Sequence, residues 1–449
     1  MRKATGSLST SILTTAHPLS TTVEHPLATA ATADDNDKAW SLMYKAIIDG
    51  IGADPKNFQL VYPFTTWDWP IVSLGYTSAA QWDFTSSVPQ WSATGNYDSA
   101  GTAFNDSYGQ MLNVVKADTK DPKLEADIAT ARNVLTLATN NYDTIYAQAR
   151  IAYEAETGKS NNPPFTEWLG SFSGRSWAVR LDSAFKEVES SQRVLNQLLA
   201  ETTTPGLKEA QERLLNKDYY TKYQDPGLGT FPAVPGYSIG MDATTWLNKV
   251  KAGTGGSSGT VSFSNGQSRY DYKDTWAKGS TSVGNFFWSV NVGGSWKRID
   301  EFASDASLEV TVSFKAWDQI SISAGRWYNG AFVSSVEEGP FIRGYSPRGG
   351  NGTKAVWGDG GIMSVQKVGM VVCYKPSFDI KVSSSSFKSF LETWKVSAGV
   401  RIGPFELSGG GGSTSSGWQA NSATNTFSGT STAETALIMG VNVQLINPA

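Results

Sequence analysis

Carboxylates beside tryptophans are the side chains of this sequence best placed to do chemistry. Asp68 lies between two tryptophans, and Asp83 directly follows another. Two carboxylates that flank a sugar bond over a floor of aromatic rings are what a glycosidase requires. The same rings without an acid pair would suit a noncatalytic carbohydrate-binding protein. The candidate ligand-binding aromatics are therefore Trp67, Trp69, Trp82 and Trp91.

Histidine chemistry is nearly excluded from the part of the sequence that has the pattern of a folded protein. The two histidines, His17 and His25, lie in a Ser/Thr-rich stretch near the start. Without imidazole, a Ser-His-Asp triad, a Cys-His pair and a His-ligated zinc site cannot form. The single cysteine, Cys373, lies in an apolar run and is expected to be a buried hydrophobe. We therefore predict no catalytic residue, no metal site and no cofactor.

Two short motifs match catalytic or nucleotide-binding patterns but lack the context that those functions need. Gly255-x-Ser257-x-Gly259 has the spacing of a nucleophile elbow, yet it lies in a Gly/Ser-rich segment with no foldable histidine. Gly158-Lys159-Ser160 has the end of a phosphate-binding loop, but Tyr153 stands where the first glycine is needed. Neither motif supports an enzymatic interpretation.

Charge and hydropathy exclude two further classes of function. The 449 residues carry a net charge of −4, and no Lys/Arg-rich patch is present, so no nucleic-acid partner is expected. No run of about 18 apolar residues exists, so no transmembrane helix is predicted. Residues 1–34 are expected to be a disordered Ser/Thr-rich tail with no clear signal peptide. We expect a soluble protein, and the sequence assigns it no compartment.

Two apolar seams with a seven-residue repeat predict a long antiparallel pair of helices over residues 121–200. Asp121 and Pro122 are typical of a helix start, and a breaker-rich stretch over 158–174 separates the two seams. Repeats of this kind bury one face of each helix against a partner. The candidate interaction seam consists of Leu124, Ile128, Leu135, Tyr142, Ile145, Leu181, Val188, Leu195 and Leu198.

After a Gly/Ser linker at 253–259 the apolar period changes to two, as in Val310, Val312 and Phe314, which predicts half-buried strands. The predicted fold class is α+β. An N-terminal helical region at 35–252, with aromatic loops and a coiled-coil-like hairpin, precedes an antiparallel β-sandwich-like region at 260–449. Each of these regions is expected to be a domain.

The favoured function is that of a noncatalytic structural or target-binding protein, able to self-assemble, that presents a helical hairpin and an aromatic-rich β domain. Its expected partner is another protein or a second copy. One alternative is a membrane-active, pore-forming toxin; another is a carbohydrate-binding protein or a carboxylate-dependent glycosidase. Residues 405–435 have small polar side chains but few apolar ones to alternate with them, which favours a surface loop over a membrane hairpin.

Overall fold

Helices and sheets alternate along the chain, so the fold is mixed α+β. The computed structural model describes residues 35–70, 72, 75–90, 95–157, 168–169, 171–199, 201–202, 206–225, 229–268, 270, 287–292, 295–298, 305–396, 399–406, 416–431 and 433–447. Within these residues the helices are α1 (Asp35–Ile51), α2 (Ala79–Ser86), α3 (Phe104–Val114), α4 (Pro122–Thr157), α5 (Arg175–Leu199), α6 (Leu207–Leu215), α7 (Ala243–Lys251), α8 (Gly330–Ser335) and α9 (Ser384–Val396). Short 3-10 helices lie at Pro55–Asn57 and Lys217–Tyr219.

The strands form one large sheet and several small ones. In chain order they are β1 (Phe58–Trp67), β2 (Tyr76–Thr77), β3 (Ser87–Pro89), β4 (Ser99–Ala103), β5 (Tyr220–Asp225), β6 (Gly229–Pro235), β7 (Tyr237–Ile239), β8 (Ser257–Ser264), β9 (Trp288–Val292), β10 (Ser295–Arg298), β11 (Glu309–Ala324), β12 (Tyr345–Ser346), β13 (Arg348–Gly350), β14 (Thr353–Ala355), β15 (Val365–Lys381), β16 (Gly399–Ile402), β17 (Phe405–Glu406), β18 (Ser416–Asn421), β19 (Thr426–Ser431) and β20 (Ala436–Leu445).

The helices α4 and α5 lie side by side and run in opposite directions. Helix α4 begins where Asp121 accepts a hydrogen bond from the backbone N–H of Lys123 at 2.8 Å, which satisfies a donor at the helix start. Asn141 of α4 donates to Glu187, at 3.5 Å, whereas Gln148, one heptad further on, accepts from Arg180 at 3.4 Å. Because the partners move backwards along α5 as the chain advances along α4, the two helices are antiparallel.

An antiparallel meander forms the centre of the large sheet. Strands β8, β11 and β15 lie next to one another in chain order. On the far side of β15, β19 pairs with its last residues, and β20 pairs with the rest. The position next to β15 is therefore shared by β19 and β20, and β18 pairs with the outer edge of β19. Strand β1 extends it beyond β20, and β7 pairs with the end of β11.

The meander has one apolar face and one polar face because its side chains alternate. On β11, Val310, Val312 and Phe314 are buried, while Thr311 and Ser313 are only half-buried. The buried side chains join a hydrophobic core that also holds most of α1. This packing places α1 against the apolar face.

The contacts of the large sheet cross the predicted boundary at 253–259. Strand β8 begins inside that segment, at Ser257, and β1 from the N-terminal region pairs with the last strand of the chain. Residues 35–449 form one compact unit. No helix in the part of the chain that the structure describes is both long enough and apolar enough to cross a bilayer.

Close packing between β1 and β20 can be tested at Gly440. A Cβ at this position would lie 2.2 Å from the Phe58 ring and 2.8 Å from the Gln59 carbonyl oxygen. We expect Gly440→Ala to lower the free energy of unfolding by about 1–3 kcal/mol, as overpacking does in a well-filled core. Urea unfolding would measure the change. Gly266→Ala is the matched control, because its nearest neighbour would be the Ser264 hydroxyl at 3.7 Å; equal losses in both variants would contradict the packing described.

Candidate functional site

The three described tryptophans of the four predicted to bind a ligand do not form one exposed surface. Trp67 is 2 % exposed and packs against the rings of Trp246 and Trp69. Trp69 is half-buried against Phe84, at 5.2 Å between ring centroids. Trp82 is half-buried, and its Nε1 donates to the carbonyl of Pro235 at 2.9 Å. Trp91 lies outside the described residues.

The predicted interaction seam packs within the chain. Its buried members are Leu124, Ile128, Leu135, Leu181 and Leu195, and its half-buried members are Tyr142, Ile145, Val188 and Leu198. The outer side of the helical pair is apolar at several points instead. Five of the seven large hydrophobic side chains that are exposed in the described residues lie on these two helices, namely Val134, Leu137, Ile151, Val179 and Val194, and Phe172 lies in the turn just before α5.

A cavity of about 90 Å³ lies between α3, α4, α5 and α6. Its lining includes Asp106, Asp143 and Glu189, together with the ring of Tyr142. Part of the Asp106 side chain is exposed to solvent, although protein atoms surround its carboxyl group closely. The loss of hydration, together with the charge of Asp143, raises the pKa of Asp106 to about 7. Burial also raises the pKa of Asp143. The Asp106 carboxyl group can therefore exchange a proton near neutral pH, which the sequence pattern did not indicate.

A buried lysine is the second feature that sequence reasoning missed. Lys367 of β15 is 4 % exposed, and its ammonium group contacts the carbonyl of Phe84, the Ser87 hydroxyl at 2.9 Å and the Tyr97 hydroxyl at 3.0 Å. Burial lowers the pKa of Lys367 well below its ordinary value. The three oxygens satisfy its three donors and tie β3 and the Tyr97 loop to β15. The available signal was a lysine directly before the mostly apolar run at residues 368–374.

Two segments of equal length leave the meander at the same end. The first joins β8 to β11 over residues 265–308, and the second joins β15 to β19 over residues 382–425, so each contains 44 residues. Ser264 pairs with Glu309, which pairs in turn with Lys381. All the strand ends from which the segments leave are therefore at one level of the sheet.

The two segments pair with each other in the register of the meander itself. Strand β9 of the first segment pairs with β16 of the second, with Val290 opposite Val400. Val290 lies nineteen residues before Glu309, and Val400 lies nineteen residues after Lys381. The β9–β16 ladder therefore has the pairing that β11 and β15 would reach if both continued unbroken past this end of the sheet.

The β16–β17 ladder has the same relation to the β15–β19 ladder. Strands β16 and β17 form a tight hairpin in which Ile402 pairs with Phe405. Ile402 lies twenty-one residues after Lys381, and Phe405 lies twenty-one residues before Thr426, which is the pairing partner of Lys381. The hairpin turn at residues 403–404 is therefore where β15 and β19 would turn if they were extended as one long hairpin.

The polar face of the meander is lined with small hydroxyl side chains on all four strands. Thr260, Ser313, Ser377 and Thr430 form one row across the sheet, according to the pairing of the strands. The hydroxyls of Thr260 and Ser313 are 3.0 Å apart. A face of this kind is well hydrated and would suit the wall of an aqueous channel.

Helices α1 and α9 cover the apolar side of the same end. Lys38 of α1 donates to the carbonyl of Asn265 at 2.7 Å, so α1 contacts the first residue of the first segment. Phe387 of α9 stacks on Phe427 of β19 at 4.5 Å, and Phe390 meets the same ring edge-on at 4.7 Å. These helices bury apolar surface that an extended sheet would expose.

The Asp106 carboxyl group generates a prediction about pH. Because its folded-state pKa lies above its value in the unfolded chain, the folded state holds its proton more tightly, and stability falls as pH rises from about 4 through 7. Replacing Asp106 with Asn should remove this loss. We expect Asp106→Asn to gain on the order of 1 kcal/mol relative to the parent between pH 5 and pH 8, since solvent contact screens much of the repulsion.

Chemical denaturation of both proteins at each pH would measure this difference. Asp127→Asn, which removes an exposed carboxylate from α4, is the matched control. A gain at pH 8 that is no larger than the gain at pH 5 would contradict the proton affinity assigned to Asp106.

Neither a cluster of metal ligands among the described residues nor a similar known protein indicates a function. The described residues contain no group of three or more His, Cys, Asp or Glu side chains that could hold a metal ion. No family model matches the chain, and no curated protein or solved structure is significantly similar to it.

Proposed function

We propose that the chain is a noncatalytic, self-assembling protein that perforates membranes, and that residues 265–308 and 382–425 are its membrane-inserting segments. The observation that carries this proposal is the shared register of the β11–β15 and β9–β16 ladders. Since both excursions between the ladders have equal length, straightening them would let β9 and β16 keep each other as partners, whereas β10 would leave β9 and β18 would leave β19. If the β9–β16 register differed from the β11–β15 register by one residue, every side chain of the extended strand would lie on the opposite face of the sheet.

The extended strands would be long enough to cross a bilayer. From Lys381 to the hairpin turn there are twenty-one residues, which span roughly 70 Å at about 3.3 Å per residue. A tilted membrane-spanning strand needs about 9–11 residues. The half of each strand nearest the turn could therefore lie in lipid, while the other half bridges the distance to the sheet.

In two of the four strands, the sequence of that half alternates as a membrane strand requires. Continuing the faces of the meander puts Trp288, Val290, Val292 and Trp296 on the apolar side of one strand, and Trp394, Val396, Ala398, Val400 and Ile402 on the apolar side of the next. The charged residues of 288–297 and 393–402 are Lys297, Lys395 and Arg401, and all three fall on the polar side. Charges on the lipid side would cost about 2–4 kcal/mol each near the midplane.

Assembly is required because one copy supplies too few strands. Backbone groups in lipid must all be paired, so strands from several copies would have to close into a ring. We further propose that α4 and α5 form a coiled-coil-like hairpin whose exposed apolar side contacts the target or a neighbouring copy. In the folded monomer, the large sheet and the β10-β9-β16-β17 sheet would form a sandwich-like body.

A disulfide across the two segments would test the proposal. Residues 290 and 400 are direct cross-strand partners, and such pairs have Cα separations of about 4.5–5.5 Å, within the range of a disulfide. The pairing persists in the extended form, so a bond at this site should be tolerated during insertion. We expect oxidised Val290→Cys/Val400→Cys, made with Cys373→Ser, to release dye from liposomes at close to the parental rate.

A second cysteine pair serves as the contrasting variant, because it would join residues 265–308 to helix α1 and so prevent their separation. The backbone N–H of Tyr270 donates to the Ser41 hydroxyl of α1 at 3.2 Å. An oxidised Ser41→Cys/Tyr270→Cys variant should lose at least about tenfold of its release rate and regain it on reduction. Single-cysteine variants are the controls. Absence of release from the parent protein across lipid compositions and pH would refute the proposed function.

A further inference from the structure

The strand pairing determines which charges would line the proposed channel. Arg401 of β16 is the direct cross-strand partner of Glu406 of β17. Opposite charges at directly paired positions on one face attract each other. In the extended hairpin this pair would lie near the turn, and its two charges would offset one another.

Two lysines on the same polar side have no acid opposite them in the extended register. Continuing the β11–β15 pairing places Lys297 opposite Thr393 and Lys395 opposite Ser295. The two lysines are then diagonal neighbours on adjacent strands, about 7–8 Å apart. They lie at the end of the alternating stretches that is farther from the hairpin turn.

We infer that the proposed pore selects for small inorganic anions, with Lys297 and Lys395 of every copy forming a basic ring at one mouth of its membrane-spanning part. This inference rests on the proposed function. Rings of Lys or Arg favour anions in pores, because low-dielectric walls focus the field of fixed charges onto the channel axis. Repetition of the two charges in each copy multiplies the effect.

Reversal potentials in planar bilayers under a KCl gradient would test the inference with the full-length protein. We expect the parent protein to favour chloride over potassium by at least about threefold. The variant Lys297→Gln/Lys395→Gln should bring the ratio close to one, and Lys297→Glu/Lys395→Glu should favour potassium. The conservative variant Lys297→Arg/Lys395→Arg should keep the preference for chloride.

Lys388→Gln is the matched control, because Lys388 is exposed on α9 and lies outside the alternating stretches. It should leave the chloride preference unchanged. A parent pore that conducts without preference, or a preference that survives the Gln and Glu variants, would overturn the inference and leave the proposed function standing. No conductance at all would overturn both.

Discussion

The backbone pairing between β11 and β15 is the constraint on which the rest of the structure depends. It joins the two halves of the meander over most of the length of both strands. It also determines the level at which residues 265–308 and 382–425 leave the sheet. Strands β9 and β16 keep the same register nineteen residues beyond the Glu309–Lys381 pair. The two ladders are therefore separate in the folded protein, but their residues pair as they would in one unbroken ladder.

The folded form keeps this interrupted ladder by burying its apolar side. Helix α1 lies against the core of the meander, and Lys38 and Ser41 hydrogen-bond to the backbone at the start of the first segment. Helix α9, within the second segment, packs Phe387 and Phe390 on Phe427. Extension would exchange these contacts for lipid and for neighbouring copies. Burial of apolar area would also drive the proposed extended form, so the environment would decide between the two forms.

Local patterns predicted the mixed α+β character and the helices α4 and α5, because a seven-residue apolar repeat depends on residues close in sequence. The period of two likewise located Val310, Val312 and Phe314 on a strand. Pairing between Val290 and Val400 could not be predicted in this way, since no local pattern relates two such distant strands. Side-chain type alone also could not show that Trp67 is buried, or that Lys367 lies among three oxygen atoms.

Residues 405–435 are a second case in which local sequence could not reveal the pairing of the strands. Judged alone, this glycine-rich stretch favours a surface loop, because few of its residues are apolar. The side of this stretch that would face lipid in the proposed extended form can be assigned only when the register of β15 and β19 is known, because a shift of one residue exchanges the two faces. The candidate site is thus a property of pairing between strands rather than of any motif.

The most direct test of this account is a scan of residues 393–402 with single cysteines that carry an environment-sensitive dye, in a Cys373→Ser background on liposomes. We expect the emission to alternate with a period of two along the sequence, with residues 394, 396, 398, 400 and 402 reporting a lipid environment. A helical period of about 3.6, or no change in emission on addition of liposomes, would contradict it.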